Sequence, residues 1–331
     1  MKMEDSTLVE IKNLTVWYRV YGGLLRVLDG VNLSVARGQK VGIVGETGCG
    51  KTTTVKAILR ILPKNAVVPE GTIMFQGRNV LKMRGRELQE LRGQGIAMVF
   101  QDPTAALNPV FTIGQQIMEV IKYARPGGKA KEWREMAVRA LKEAALPDPE
   151  RLMENYPFQL SGGMRQRVCI AMALATARTL LIADEPTTNL DVTIQDQVLR
   201  LVRRLVEEKG TSLILITHSL GVAREMTDLV YVMYAGTMVE VAQTDELFDN
   251  PLHPYTLGLL QSIPKLTGGG VTQGIAGRIP DYANPPPGCR FAPRCDQAMP
   301  ICSERKPALF DAGGGHQVAC WRFAAGGEAV A

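Results

Sequence analysis

Three short stretches of this chain carry residue types suited to phosphate chemistry. Gly45-Glu46-Thr47-Gly48-Cys49-Gly50-Lys51-Thr52 fills every position of the pattern G-x-x-x-x-G-K-[ST]. In that pattern glycines leave backbone N–H groups open to cradle phosphate oxygens, the lysine meets the β- and γ-phosphates of ATP, and the hydroxyl ligates Mg²⁺. Thr53 follows directly. Leu180-Leu181-Ile182-Ala183-Asp184-Glu185 is an apolar run ending in two carboxylates. Asp184 is placed to hold Mg²⁺ through its water shell, and Glu185 to act as general base on an attacking water. Between these stretches, Leu160-Ser161-Gly162-Gly163-Met164-Arg165-Gln166-Arg167 opens a helix. It is a second helix terminus able to meet an anion, and it has no phosphate loop of its own.

The elements around these residues are those the chemistry needs. Val9 to Val35 alternates apolar and polar positions in two runs broken at Tyr21-Gly22-Gly23, as in a hairpin. Lys40-Val41-Gly42-Ile43-Val44 reads as a buried strand feeding the glycine loop, and Thr52 to Leu62 as the helix after it, stopped by Pro63. Met98-Val99-Phe100 ends a strand at Gln101. From Ile113 to Leu146 the period turns helical, with an amphipathic stretch at Trp133 to Ala145. Strands at Leu180–Ile182 and Leu213–Ile216 alternate with helices at Thr193–Glu208 and Leu220–Met226, which argues for a largely parallel sheet. The expected fold class is α/β, a P-loop core with an antiparallel β-subdomain, an inserted helical subdomain at about 102–175 and a small cysteine-rich carboxyl extension. The core domain is expected over 1–241 and the extension over 242–331.

The chain has 331 residues, with 38 basic and 33 acidic side chains for a net charge of +5. No basic block suggests a nucleic-acid track, and no run approaches the roughly 18 apolar residues of a membrane span. The start lacks a secretory signal. The chain is therefore expected in the cytosol, with any membrane attachment made through partners. Cys49 is read as a small residue tolerated in the loop rather than as a redox switch; its place at a helix N-terminus would still lower its thiol pKa, and a thiol alkylator is expected to inactivate the chain, with protection by ATP.

From about Leu8 to Ala242 the chain resembles the ATP-binding cassette (ABC) ATPases, on the phosphate loop, the Ser161-Gly162-Gly163 signature and Asp184-Glu185. The resemblance implies further roles. His218 is similar to the switch histidine that contacts the γ-phosphate, and Gln101 to the glutamine that senses Mg²⁺ and water and links the helical subdomain to a membrane partner. Tyr18 is positioned like the aromatic that stacks on adenine, with Trp17 as a substitute. Asn189-Leu190-Asp191 resembles the crossing loop between subunits, although Asn189 stands where the family more often has alanine, and Ser219 where an acidic residue commonly follows the histidine. Two cassettes are implied to close head to tail, each ATP lying between the loop of one and Ser161, Gly162, Gly163 and Gln166 of the other.

The match narrows at Asp102-Pro103, Met233-Tyr234-Ala235-Gly236, His253-Pro254-Tyr255-Thr256 and the tail Asn284-Pro285-Pro286-Pro287-Gly288-Cys289 onward. These look like the D-type ATPase subunit of peptide and nickel importers. Implied partners are two permease subunits, a second ATPase subunit of F type or a second copy of this chain, and an extracytoplasmic solute-binding protein, with no nucleic acid. Nickel or oligosaccharide import, and a soluble ABC ATPase outside transport, are the alternatives. Cys289, Cys295, Cys302 and Cys320 are spaced C-x5-C-x6-C-x17-C, without the close knuckle usual in structural zinc sites. Four thiolates on loosely spaced loops suit iron and sulfur. The subfamily resemblance implies a [4Fe-4S] cluster, with Zn²⁺ as the alternative and disulfides after it. His253 is read as packing a helix start rather than binding metal.

Overall fold

The computed structural model describes residues 7–176, 178–188, 190–263 and 274–324. The chain forms two compact units, Met1–Leu81 with Ile216–Ala331, and Lys82–Leu215. The first begins with β1 (Thr7–Val20) and β2 (Gly23–Ala36), antiparallel partners on either side of the turn at Tyr21-Gly22. β3 (Lys40–Val44) is apolar and buried after its first residue, and it feeds α1 (Lys51–Ile58) through the glycine loop. That helix is shorter than the expected Thr52 to Leu62. Arg60 takes a left-handed φ of 54°, which breaks the helical run before Pro63 is reached. β4 (Ala66–Phe75) and β5 (Arg78–Asn79) complete a four-stranded antiparallel sheet of order β2-β1-β4-β5. Pro69-Glu70-Gly71 interrupts the alternation of β4 and hides it from a periodicity reading.

The second unit contains α2 (Arg86–Glu90), β6 (Ile96–Val99), α3 (Pro103–Ala106), α4 (Ile113–Ala124), α5 (Ala130–Glu143), α6 (Pro149–Leu152), α7 (Gly162–Leu174), β7 (Leu180–Asp184) and α8 (Val192–Lys209). β6 and β7 pair in parallel, from Ile96 opposite Leu180 to Val99 opposite Ala183. α4 starts on a capping box between Thr112 and Gln115, and buries Ile113, Ile117, Ile121 and Ala124 at helical spacing. α8 is capped by Asp191, whose carboxylate accepts from Ile194 N at 3.0 Å. It buries Val198, Leu201, Val202, Leu205 and Val206, and ends on Gly210 at a φ of 61°. β8 (Ser212–Thr217), buried throughout, carries the chain back to the first unit.

There follow α9 (Leu220–Met226), β9 (Leu229–Tyr234), β10 (Thr237–Gln243), α10 (Thr244–Asp249), α11 (Pro254–Gln261), α12 (Pro300–Glu304), β11 (Phe310–Asp311) and β12 (Gln317–Val318). β9 pairs β3 in parallel and β10 in antiparallel, and the short β12 and β11 extend that sheet. Beneath it Tyr234, Tyr255 and Phe291 meet with ring centroids 4.7, 5.1 and 5.4 Å apart. Such aromatic pairs contribute about 0.5–1.5 kcal/mol each beyond the area they bury. The carboxyl extension thus supplies part of a core centred on Val44, Val230, Val232 and Tyr255.

A buried carboxylate pins the end of the extension. Glu240 on β10 has no solvent exposure. It accepts hydrogen bonds from Leu252 N at 2.7 Å, His253 N at 2.9 Å and His316 Nε2 at 2.7 Å. Burial works against a charge on His316, but the hydrogen bond and charge of Glu240, and then of Glu246, outweigh it and raise the imidazole pKa. His253 begins α11, its Nδ1 accepting from Tyr255 N at 3.0 Å, and burial pushes its pKa down to about 4. Removing Glu240 strands three donors, two of them buried. Glu240→Ala is therefore expected to destabilise the first unit by about 3–5 kcal/mol in urea unfolding, and Glu240→Gln by less. A loss in Glu240→Ala no larger than that of an exposed carboxylate would remove the clamp.

Candidate functional site

The glycine loop lies between β3 and α1, and its shape depends on what it is pressed against. A Cβ on Gly45 would lie 2.1 Å from the Met233 carbonyl oxygen, so no other residue fits there. Gly50 caps α1 at a φ of 111°, in the region that favours glycine. Gly236 N, in the turn between β9 and β10, donates to Cys49 O at 2.7 Å and ties the loop to the sheet. Lys51 is 4 % exposed, and its ammonium curls back over the loop, donating to Gly45 O at 2.7 Å and Glu46 O at 3.0 Å. It therefore sits where the loop's N–H groups and the first turn of α1 converge, the arrangement that favours phosphate. Thr52 and Thr53 are half-buried on that first turn, and the Thr53 hydroxyl lies 3.1 Å from the Tyr18 hydroxyl of β1. Trp17, beside Tyr18, is also half-buried, with the Arg26 guanidinium over its ring at 5.9 Å.

Four residues near the loop escaped the sequence reading, all from the carboxyl part of the chain. The Tyr255 hydroxyl accepts from Glu46 N at 2.9 Å, and the Tyr282 hydroxyl donates to Gly48 O at 2.8 Å. Arg294 grips the Glu46 carboxylate at 2.7 and 3.0 Å. Arg290 donates to Ala235 O and, at 3.2 Å, to Arg26 O. The one available signal was the interleaving of Arg290 and Arg294 with Cys289 and Cys295, which composition alone does not connect to a loop more than two hundred residues away.

In the second unit, Asp184 ends β7 and is 4 % exposed. Glu185 follows at a φ of 45°, an uncommon backbone for a residue with a long side chain. Its carboxylate accepts from Gln101 Nε2 at 3.1 Å and from the Thr188 hydroxyl at 3.0 Å. Two of the residues singled out from the sequence, Gln101 and Glu185, thus meet directly. Ser161 caps α7, its hydroxyl accepting from Met164 N at 3.3 Å. A Cβ on Gly163 would come 2.8 Å from Ile194 Cγ2 on α8, so glycine is required by the close helix approach. Gln166 is buried, with its side-chain amide nitrogen lacking a partner among the described residues. Leu190 and the capping Asp191 precede α8, while Asn189 lies outside the described residues. In the first unit, His218 is exposed directly after β8. Ser219, beside it, caps α9 by accepting from Val222 N at 3.4 Å.

Cys289, Cys295, Cys302 and Cys320 are free thiols lining one small cavity of about 20 Å³, with Phe291, Pro307 and Trp321. Cys289 N donates to Cys302 O at 2.7 Å. Burial, helped by the neighbouring Cys302 and Cys320, pushes the Cys289 thiol up to about 11, and burial raises Cys295 and Cys320 as well. Among the described residues no three His, Cys, Asp or Glu side chains are set to hold a single metal ion.

Fold and motif order together define an ATP-binding cassette. The sequence pattern of the ABC transporter family matches residues 28–188, and that of the oligopeptide/dipeptide transporter C-terminal region matches residues 239–302. The dimeric ATP-binding cassette MJ0796, solved with ADP and Pi, superposes with a TM-score of 0.64 at 29 % identity, over 72 % of this chain and 99 % of that one. A probable peptide ABC transporter ATP-binding protein of Sinorhizobium fredii is 46 % identical over 97 % of this chain and 98 % of its own length. The oligopeptide transport ATP-binding protein OppD of Bacillus subtilis is 44 % identical over 96 % of this chain and 89 % of its own. The dipeptide transport protein DppD of the same organism is 42 % identical over 95 % and 94 %. The chain belongs to the ATP-binding subunits of ABC transporters, in their oligopeptide/dipeptide family. Among the described residues no helix is long and apolar enough to cross a membrane.

The expectation for Cys49 is corrected. The side chain has no solvent exposure, and burial raises its pKa in spite of the nearby Lys51 charge. A buried, protonated thiol reacts poorly. N-ethylmaleimide at neutral pH should label Cys49 at least ~tenfold more slowly in the native chain than in urea, read by peptide mass spectrometry. Equal rates would contradict the burial.

Proposed function

We propose that this chain binds and hydrolyses ATP to drive uptake of oligopeptides or dipeptides through a membrane permease. The observation that carries this reading is the near full-length similarity to peptide transport ATP-binding proteins, on a chain that keeps a formed phosphate loop with Lys51 folded into it. Gly45 to Thr53 would hold the phosphates, and Tyr18 would stack on adenine. Thr52, Asp184 and Gln101 would hold Mg²⁺, which supplies charge neutralisation at the transferring phosphoryl group. Glu185 would act as general base, oriented by Gln101 and Thr188, and His218 would meet the γ-phosphate. Ser161, Gly162, Gly163 and Gln166 would complete the nucleotide site of a second cassette, and Asn189, Leu190 and Asp191 the crossing between the two. The dimers described for MJ0796 support that pairing. The further partners would be two permease subunits, an F-type ATPase or a second copy of this chain, and an extracytoplasmic binding protein, at the cytoplasmic face of the membrane. We read 1–241 as the nucleotide-binding domain, with its helical part at about 102–175, and 242–331 as the extension.

The four-cysteine segment would hold a [4Fe-4S] cluster. Four thiols around one cavity, without the close cysteine pair usual in structural zinc sites, support that reading over Zn²⁺. Ligation would hold the thiols deprotonated against the burial that raises them, and would order a segment with little regular structure.

The complex, isolated from native membranes through a tag on this chain, should co-purify with its permease. Its ATPase rate should rise several-fold with peptide-loaded binding protein, and Glu185→Gln should bind ATP while turning over at least ~100-fold more slowly. Recovery without a permease would overturn the reading. Anaerobically prepared chain should contain about four iron and four acid-labile sulfide. One zinc without sulfide would overturn the cluster.

A further inference from the structure

We propose that Arg294 is a positioning residue of the nucleotide site: it holds and neutralises Glu46 within the phosphate loop, so that the cysteine-rich extension sets the loop's affinity for nucleotide phosphates. The proposal rests on the nucleotide-site reading above and goes beyond it by assigning part of that site to the extension.

Glu46 places a carboxylate in a loop whose task is to bind a polyanion. Left alone, that charge would repel the phosphates across a short distance in a partly desolvated site, where charges act strongly. Arg294 answers it with a two-pronged contact, Nη1 to Oε2 at 2.7 Å and Nη2 to Oε1 at 3.0 Å. The Arg294 side chain is 4 % exposed. All five of its N–H groups are engaged: the remaining three donate to Ala276 O at 2.8 Å, Ile275 O at 3.0 Å and the Tyr234 hydroxyl at 3.3 Å. The guanidinium carbon lies 5.6 Å from the Tyr234 ring centre, on the buried aromatic cluster. A guanidinium fixed by carbonyls, a hydroxyl and a ring cannot follow Glu46, so Glu46 is held to it. Glu46 N and O are meanwhile tied to Tyr255 and Lys51. The position of Glu46 therefore bears directly on the lysine that meets the phosphates. Arg294 is also the residue before Cys295, so whatever orders the four-cysteine segment orders the guanidinium.

The test is the affinity of the full chain for MgATP, by equilibrium titration, in Arg294→Met, Arg294→Lys, Glu46→Gln and the double variant Arg294→Met with Glu46→Gln, with thermal melts alongside. Arg294→Met should bind MgATP about tenfold more weakly, a deficit that shrinks as KCl is added because it comes from repulsion. Arg294→Lys, which keeps the charge and loses the two-pronged contact, should fall between. The double variant should return to within about threefold of Glu46→Gln, since the repelling charge is gone. Arg294→Met binding like the unaltered chain would overturn the proposal. So would a double variant as weak as Arg294→Met, which would mean that Arg294 serves only packing. Should Arg294→Met fail to fold, Arg294→Lys carries the test, with undiminished binding as the overturning result. An unaltered chain that does not bind MgATP would instead sink the nucleotide-site reading.

Discussion

The phosphate loop must be stiff while its concave side stays free of its own side chains, and much of the first unit follows from that demand. Backbone N–H groups can converge on an anion only if the peptide chain turns tightly, and tight turning leaves no room for Cβ atoms. Gly45 lies under the Met233 carbonyl, and Gly236 donates to Cys49 O from the turn between β9 and β10. The loop is therefore held by the neighbouring strand and its turn as well as by the Lys51 bonds within it. β9 in turn pairs with β3 in parallel over Val41 to Val44, which fixes the strand that delivers the loop. Burial of Cys49 belongs to the same constraint: its side chain packs inward because the outward side is kept for the ligand.

Polar groups do much of the work of fastening the extension. Glu240 is wholly buried and meets three donors, two from the segment before α11 and one from His316 in the turn between β11 and β12. An unpaired carboxylate there would be costly, and a fully paired one ties two separate stretches to one strand. Hydrophobic contact adds the Tyr234, Tyr255 and Phe291 cluster. Such mixed fastening suits a segment whose regular elements are as short as two residues, because little apolar area is available to hold them.

The sequence was most legible where local chemistry is strict. The loop from Gly45 to Thr52, the run ending at Asp184 and Glu185, and the helix start at Ser161 each need particular residue types at fixed spacing, and each sits at the element boundary expected. Helices α8 and α9 were readable from their periodicity to within a residue at either end. β4 was not, because Pro69 and Gly71 break its alternation, and α1 was read too long because nothing local announces that Arg60 turns left-handed. The contacts of Tyr282, Arg290 and Arg294 join residues far apart in the chain, and a pairing of that kind leaves no periodic trace. Cys49 misled for a related reason: position at a helix N-terminus is local, whereas the burial that outweighs it comes from the surrounding fold.

The choice of arginine at 294 has a physical logic that lysine would not meet. An ammonium offers three donors from one centre and cannot bridge both carboxylate oxygens while also bonding two carbonyls and a tyrosine hydroxyl. The guanidinium does all of this in a plane, over a ring that stabilises its charge. It can thus be buried with every donor satisfied, and the carboxylate it faces is held as firmly as the backbone around it. Lys51 presents the complementary case, a compact charge bonded to loop carbonyls that a phosphate can draw away from them. A planar cation outside the loop and a compact one within it divide the electrostatic task between permanent compensation of Glu46 and contact with the nucleotide.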